Sequence, residues 1–251
     1  MPARASTDYL LRLADTSLIL GQRLAEWIGH APALEEDLGL ANVSLDLIGQ
    51  ARLLYQYAGE VEGKGRGEDD LAFLRRPDEY RNVSLVEQPN GDFGCTVVRQ
   101  FLFDAWQLEM YQGLEASSDA RLAEIAAKAL KEVRYHLRYS SGWLVRLGDG
   151  TQESHRRVQG PLESLWKYTT ELFSPDDLDL EMQAAGVGPD LEVLEAAWSR
   201  QVDDVLADAT LVRPADVPYG WFGKRGEHTE HLGHLLAEMQ VLQRTYPGAS
   251  W

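Results

Sequence analysis

The stretch LAEIAAKALKEVRYHLRYSSGWLVRLG, which runs from Leu122 to Gly148, decides how the rest of the chain is interpreted. It is long enough for a helix of about seven turns at 3.6 residues per turn. Glu132 and His136 lie four residues apart in its middle, so both side chains project from one face of that helix. Four-helix bundles that bind two metal ions present glutamate and histidine in this way, although there the spacing is Glu-x-x-His and it occurs twice. The stretch therefore raises the question of whether the other ligands of such a site are present.

The composition is that of an ordinary globular protein. The 251 residues are 44% hydrophobic and 25% charged, which suffices for one large core or two modest ones. No run of about 18 uncharged apolar residues occurs, and the N-terminal sequence MPARASTDYLLRLADTS lacks the basic, apolar and small-residue order of a signal peptide. Cys95 is the single cysteine, which excludes an internal disulfide and fits a reducing compartment. These features predict a cytoplasmic protein.

The net charge of -16 restricts the partners that the chain can have. Nucleic acids and anionic membranes attract clustered Lys and Arg, so neither is predicted to bind. An anionic substrate such as a coenzyme A ester would need a local basic patch, or a second subunit that supplies one.

Helical periodicity begins close to the N-terminus. Thr7 or Asp8 can cap a first helix, which Gly29 ends. Pro32 and the acidic residues after it begin a second helix, which is predicted to run to about Tyr57. The apolar stripe of this helix is Leu34, Leu38, Ala41, Leu45, Ile48 and Leu53. Beside the stripe lies a row of two polar residues and one residue without a side chain: Asn42, Asp46 and Gly49.

Further helices are predicted at about residues 92–117, 122–148, 152–173, 190–209 and 227–246. The glycine-rich segment 59–67 is typical of a flexible crossover, and 174–190 is predicted to be a polar loop. Short links force antiparallel neighbours, so helices one and two form one αα-hairpin and helices three and four form another. Two hairpins joined by a long crossover have the connectivity of a ferritin-like bundle. The sequence therefore predicts an all-α protein, a ferritin-like four-helix bundle with additional C-terminal helices, in one domain over residues 1–251.

A di-iron or di-manganese site in such a bundle needs one Glu and one Glu-x-x-His pair from each hairpin. The second helix offers Asp46 and Gly49 at the corresponding place, so the carboxylate is shortened and the histidine is absent. Glu132 and His136 have a spacing of four in place of three. The first helix offers Glu26 near its end, and the third offers Asp104 and Glu109. The pattern predicts a degenerate site that holds no metal.

Lys128 offers a different interpretation of the pair in the fourth helix. Lys128, Glu132 and His136 sit at successive four-residue steps, which allows a charge-neutralised, hydrogen-bonded stripe at a core position. A bundle that carries two metal ions of its own remains the alternative.

A second group of candidate residues lies near the C-terminus, in KRGEHTEHLGHLLAEMQ. Its histidines recur every three residues, but a site on one helix lacks the convergence that a catalytic metal needs. Lys224 and Arg225 lie in a glycine-flanked loop before a helix, which favours an anion such as a coenzyme A phosphate or the carboxylates of a partner. We therefore predict that Lys224, Arg225, His228 and His231 contact an anion or a partner. No catalytic residue is predicted.

Several blocks of the chain closely resemble one family, and the similarity extends over residues 9–251. They are GQRLAEWIGHAPALEEDLGLANVSLDLIGQAR, LVEQPNGDF, DAWQ, AKALKEVRYHLRYSSGWLVRLGDGT and KRGEHTEHLGHLLAEMQVLQR. The family is PaaC, the structural subunits of phenylacetyl-CoA 1,2-epoxidases, which are ring-epoxidising multicomponent monooxygenases. The resemblance implies a ferritin-like fold without a metal site, a catalytic partner subunit, PaaA, that carries the iron, and a reductase subunit that delivers electrons from NADPH. It carries over no catalytic residue, because the chemistry of the family resides in the partner.

Two functions are considered, the first implied by the resemblance and the second by the helical pattern. One is a non-catalytic scaffold that binds and stabilises the di-iron catalytic subunit in aerobic phenylacetate degradation. The alternative is a ferritin-like di-metal oxygenase that carries its own metal site. The C-terminal helices that exceed a four-helix bundle are predicted to supply the contact surface. Self-association into a homo-oligomer in the absence of the partner is left open by the sequence.

Overall fold

The computed structural model describes residues 7–220 and 222–249. Its α-helices are α1 (Thr7–Trp27), α2 (Leu34–Glu62), α3 (Glu68–Phe73), α4 (Phe93–Glu115), α5 (Ala120–Gly148), α6 (Gln152–Leu165), α7 (Thr169–Phe173), α8 (Asp177–Ala184), α9 (Leu191–Asp208), α10 (Glu230–Met239) and α11 (Val241–Thr245). Short 3-10 turns lie at Pro77–Glu79, Ser84–Glu87, Trp166–Tyr168 and Gly223–Arg225. No β-strand occurs in the part of the chain that the structure describes, and the predicted all-α class is confirmed.

The chain is divided into two compact units. The inserted unit comprises residues 90–220 and contains α4 to α9. The split unit comprises residues 7–89 together with 222–249 and contains α1 to α3, α10 and α11. In the sequence, the inserted unit therefore separates the two segments of the split unit. The prediction of one domain over residues 1–251 stays a prediction.

In the split unit, α1 packs along α2 as the first predicted hairpin. Gly21 of α1 marks the closest approach, since an added Cβ there would lie 3.1 Å from Cγ1 of Ile48 and 3.3 Å from the carbonyl oxygen of Ser44. The hydroxyl of Ser44 also donates a hydrogen bond to the carbonyl oxygen of Gly21 at 2.7 Å. A larger residue at position 21 would therefore force the two helices apart.

The second helix, α2, buries a different face from the predicted one. Its buried apolar side chains include Leu40, Val43, Leu47, Ala51 and Leu54. Within the predicted stripe, Leu34, Leu38 and Leu45 are 69%, 56% and 66% exposed. The predicted stripe is wrong as a core face because α2 is apolar on two faces, and periodicity alone does not tell which of them is buried. The helix also continues to Glu62, beyond its predicted end at Tyr57.

In the inserted unit, α4 and α5 form the second predicted hairpin. Asp119 caps α5, because its carboxylate accepts hydrogen bonds from the backbone N–H groups of Arg121 and Leu122 at 3.1 Å each. The helices α6 and α9 pack against α4, where the indole N–H of Trp198 donates to the carbonyl oxygen of Leu102 at 3.2 Å. Most of α4 is therefore buried, including polar residues in its middle.

The predicted fifth helix, 152–173, is interrupted after Leu165 by a 3-10 turn, and α7 follows that turn. Pro161 lies inside α6, where it has no N–H to donate to the carbonyl group of Arg157. This carbonyl group lies against the start of α4, since a Cβ added at Gly94 would be 2.6 Å from its oxygen. Glycine at position 94 therefore allows the two helices to touch at the carbonyl that Pro161 leaves unused.

The prediction of a polar loop over 174–190 is wrong, because this region contains α8. Asp176 accepts a hydrogen bond from the N–H of Asp179 at 3.0 Å, and its own N–H donates to the Asp179 carboxylate at 3.0 Å. This capping box, together with the buried side chain of Met182, stabilises two turns of helix. The last predicted helix, 227–246, is divided into two helices, α10 and α11. The first of them begins at Glu230, later than predicted.

Candidate functional site

Asp104 in α4 is a fully buried carboxyl group of the inserted unit. Its Oδ1 accepts a hydrogen bond from Nε2 of Gln100 at 2.6 Å, and its Oδ2 accepts one from the hydroxyl of Ser140 on α5 at 2.7 Å. Burial raises the pKa of Asp104 to about 8, although both hydrogen bonds act in the opposite direction. The group is therefore mostly protonated at neutral pH, and a neutral carboxylic acid is a poor metal ligand.

His136 is the buried member of the predicted pair on α5. It lies one turn before Ser140, so the two residues share the face of α5 that carries the hydrogen bond to Asp104. Glu132 is half-buried and Lys128 is exposed. The prediction that Lys128, Glu132 and His136 form one stripe at a core position is therefore wrong. Lys128 points into solvent, and only His136 lies in the core.

Asp46 and Gly49 lie in α2 and belong to the split unit. Gly49 is exposed, and a Cβ added there would meet no atom within 4 Å. Asp46 is only half-buried. Neither residue occupies a buried ligand position, so the prediction that they mark a vacated metal site inside the bundle is not supported by their placement.

Asp15 of α1 forms a buried ion pair in the split unit, with the guanidinium of Arg75 bound to both carboxylate oxygens. The hydroxyl of Tyr55 donates to Oδ1 at 2.5 Å, and the backbone N–H of Arg81 donates to Oδ2 at 2.8 Å. Burial, and next the charge of Asp15, raise the pKa of Tyr55 well above its ordinary value. Both carboxylate oxygens of Asp15 are thus engaged by the chain itself.

Glu87 ends the 3-10 turn Ser84–Glu87 and is also fully buried. Its Oε1 lies 2.5 Å from Nδ1 of His228 and accepts a hydrogen bond from Nδ2 of Asn82 at 2.9 Å. Its Oε2 accepts two hydrogen bonds from Thr229, one from the backbone N–H at 2.8 Å and one from the hydroxyl at 2.7 Å. Thr229 is the N-cap residue of α10, and its side chain binds Glu87 and caps no backbone N–H of the helix.

His228 has an acceptor at each ring nitrogen, since Nε2 lies 3.0 Å from the carbonyl oxygen of Tyr80. Burial on its own lowers the pKa of His228, but the Glu87 carboxylate raises it, and the net pKa lies above the ordinary value. The geometry therefore favours an imidazolium ion that neutralises Glu87. The anion that His228 contacts is Glu87 of the same chain, so the predicted contact with an external anion or a partner stays a prediction.

Arg23 of α1 donates hydrogen bonds to both sides of the Glu87–His228 pair. Its Nε and one terminal nitrogen donate to the backbone carbonyl of Glu87 at 3.0 and 2.8 Å, and the same terminal nitrogen donates to the carbonyl of His231 at 3.1 Å. Lys224 is buried, whereas Arg225 is exposed and lies over the ring of Phe222. Of the four residues predicted to contact an anion or a partner, Lys224, Arg225, His228 and His231, one is therefore exposed.

A metal centre needs several donors that can turn toward one ion. Asp104 is mostly neutral, and Asp15 and Glu87 are neutralised by Arg75 and His228. Within residues 7–220 and 222–249, no three His, Cys, Asp or Glu side chains converge in a way that could hold a metal ion. The residues present in these ranges do not fit a di-metal centre.

Sequence reasoning missed Asp15 and the partnership of Glu87 with His228. The two partners lie in the separate blocks LVEQPNGDF and KRGEHTEHLGHLLAEMQVLQR, and an acid that follows apolar residues in the first block was the available signal. In the described part of the chain, no helix has the length and apolar character needed to cross a membrane.

Two comparisons with known proteins agree with each other. Residues 2–251 match the family model PaaA_PaaC, described as Phenylacetic acid catabolic protein. The chain is also 51% identical over 245 residues to the subunit designated C of the 1,2-phenylacetyl-CoA epoxidase of Escherichia coli (strain K12), and this alignment covers 98% of each chain. The ferritin-like fold predicted from the sequence is consistent with that family. With a match over almost its whole length, the chain belongs to the family of phenylacetic acid catabolic proteins.

Proposed function

We propose that the chain is the non-catalytic subunit of a phenylacetyl-CoA epoxidase complex, and that it binds and stabilises a di-iron catalytic subunit of the PaaA type during aerobic phenylacetate degradation. The similarity to a subunit of the Escherichia coli epoxidase supports membership of such a complex. In this proposal the iron belongs to the partner, and a reductase subunit supplies electrons from NADPH.

The proposal rests on one observation: Asp104, Asp15 and Glu87 are buried acids whose hydrogen-bond and charge partners belong to the same chain. Asp104 receives hydrogen bonds from Gln100 and Ser140, Asp15 is paired with Arg75, and Glu87 is paired with His228. A charge buried without a partner is strongly unfavourable, and here the partner of each acid is a side chain of the same chain. Such an interior suits a scaffold.

Metal analysis of the full-length chain, purified alone and with the catalytic subunit, tests the proposal. We expect the chain alone to hold far less than one iron or manganese ion, and the complex to hold about two per catalytic subunit, as di-metal carboxylate proteins do. The substitutions Asp104→Asn and His136→Gln should leave the ratio of iron to catalytic subunit in the complex unchanged. About two ions in the isolated chain, lost in these variants, would support the alternative of a di-metal oxygenase.

Binding is tested separately by co-expression and size-exclusion chromatography. A single peak that contains both proteins is expected. Two proteins that elute apart at micromolar concentration would contradict the scaffold role, whatever the metal content.

A further inference from the structure

The surface of α2 carries more apolar side chains than its own unit uses. We define the α2 outer seam as Leu34, Leu38, Ala41, Leu45 and Ile48. Its three leucines are between 56% and 69% exposed, while Ala41 and Ile48 are half-buried. The packing of α2 against α1 uses mainly the opposite face, with side chains such as Leu40, Val43 and Leu47, while Ile48 at the end of the seam also lies close to Gly21 of α1. Exposed apolar residues that recur along one helix face are uncommon on a surface that only meets water.

The spacing within the α2 outer seam is regular. The steps from Leu34 to Ile48 are four, three, four and three residues, which is the heptad repeat of a helix that packs against another helix at a shallow angle. Over this length the seam extends for about 21 Å at 1.5 Å per residue. A globular or irregular partner would not require this repeat, so the spacing indicates a helix as the occupant.

Small residues allow that helix to come close. Ala41 lies at the centre of the α2 outer seam, and Gly49 follows its last residue with nothing within 4 Å of an added Cβ. Beyond Ile48 the seam leads to a depression of about 290 Å³ between α1, α2 and α3, whose lining includes Leu18, Ala72 and Phe73. Anchor side chains at interfaces commonly fill such a depression.

The charges around the seam select the kind of partner. Three acidic residues of α2 lie beside the seam: Glu35, Asp37 and Asp46. The cation on that face, Arg52, is already paired with Glu68 at 2.8 Å. A second copy of the chain would bring the same acids against each other, and the net charge of -16 would add to the repulsion. A helix flanked by Lys and Arg would be attracted instead.

We propose that the α2 outer seam is the docking surface for an amphipathic helix of a partner subunit, with an apolar heptad face flanked by basic residues. This inference rests on the proposed function, which supplies the existence of a partner. It differs from the prediction that the surplus C-terminal helices form the contact.

The test compares two double variants of the full-length chain, each co-expressed with the catalytic subunit. Leu38→Glu with Leu45→Glu places charge in the centre of the seam. Leu180→Glu with Val193→Glu is the matched control, because these residues of α8 and α9 are 52% and 65% exposed. Circular dichroism and thermal unfolding of each isolated chain establish that it folds, and binding is measured by titration of the purified partner.

We expect the seam variant to bind on the order of 100-fold more weakly or worse, since buried leucines at the centre of an interface are replaced by charges. The control should bind like the wild type. A third variant, Glu35→Lys with Asp46→Lys, should also weaken binding, and the loss should shrink at high salt.

The outcomes separate the two proposals. If the wild type does not bind the catalytic subunit, the proposed function fails, and the docking surface fails with it. If the wild type binds and the seam variant binds equally well, the proposed function survives and the α2 outer seam is refuted as its surface. A loss in the control variant alone would place the contact on the surplus helices. An isolated chain that is dimeric, and that the seam variant makes monomeric, would identify a second copy as the occupant and overturn the inference.

Discussion

Three buried acids of this chain are stabilised in three different ways. Asp104 is kept neutral by burial, Asp15 is paired with Arg75, and Glu87 is paired with His228. Each solution removes the cost of a bare charge in a medium of low polarity. The sequence identified Asp104 as an acid of the third helix, but a single side chain does not reveal its own burial, and protonation follows from burial.

Asp104→Asn is expected to stabilise the chain at alkaline pH. The pKa of Asp104 in the fold is about 8, above its value in the unfolded chain, so folding takes up a proton between these two pH values. The contribution of this group to the free energy of unfolding therefore falls as pH rises, by at most about 1.4 kcal/mol per pH unit, and it levels off above the folded pKa. Asparagine keeps the shape without the titration.

Urea denaturation of wild type and variant between pH 5 and pH 8 checks this prediction. The advantage of Asp104→Asn should be largest at pH 8 and should shrink toward pH 5, while shared titrations cancel in the difference. An advantage that does not change with pH would show that Asp104 does not take up a proton on folding.

Glu87→Gln is expected to destabilise the chain by about 3 kcal/mol at pH 6, the usual effect of removing one partner of a buried pair. Because the pKa of His228 is raised in the fold, the stability from its charge is complete below the unfolded pKa and is lost as pH rises through the folded pKa. The cost of Glu87→Gln should therefore be smaller at pH 9 than at pH 6.

Glu26→Gln provides the control for that measurement. Glu26 pairs with Arg23 at 2.9 Å, but its side chain is 51% exposed, and such pairs contribute at most about 1 kcal/mol. Equal losses in the two variants, measured by thermal and urea denaturation, would mean that the burial of Glu87 adds nothing to the strength of its pair.

At the scale of the elements, helix existence could be predicted and helix orientation could not. The opening stretch 122–148 lies within α5, and both predicted hairpins are present. The stripe of α2 was assigned to the wrong face, because Leu38 and Leu45 follow the same helical period as the buried Leu40 and Leu47. Interruptions such as the one after Leu165 depend on contacts between distant elements, and local periodicity contains no information about them.

Two glycines of α5 predict opposite effects of the same substitution. A Cβ at Gly148 would lie 2.3 Å from the carbonyl oxygen of Ala209, whereas at Gly142 no atom lies within 4 Å. Gly148→Ala should therefore cost about 1 to 3 kcal/mol through overpacking. Gly142→Ala should gain roughly 0.5 to 1 kcal/mol through helix propensity. Urea unfolding of both variants measures the difference, and a loss at Gly142 would contradict the open space beside it.

At the scale of the whole molecule, the chain has 40 acidic and 24 basic residues. This excess was evident from composition, but its distribution was not, because composition does not reveal which acids are buried beside a cation. The pairs of Asp15 and Glu87 leave most of the excess charge to other positions, among them the outer face of α2.

Added salt should therefore raise the stability of the isolated chain and lower the affinity of the complex. Raising NaCl from about 0.05 M to about 0.5 M shortens the screening length and weakens repulsion among exposed acids, so the melting temperature of the isolated chain should rise. The same change should weaken association with a partner that presents basic residues. Calorimetry and binding titration at both salt concentrations check the two signs, and a complex that tightens with salt would contradict attraction between opposite charges.

The division of the split unit into two sequence segments also has a consequence for synthesis. Glu87 and His228 are 141 residues apart, so a ribosome that adds 5 to 20 residues per second needs roughly 7 to 28 s to make the second after the first. During that time α1 and α2 have been translated, but the imidazolium for Glu87 and the His231 carbonyl for Arg23 do not yet exist. The contacts of Glu87 with His228 and of Arg23 in the earliest helix with His231 are therefore completed only when the last segment of the chain has been made.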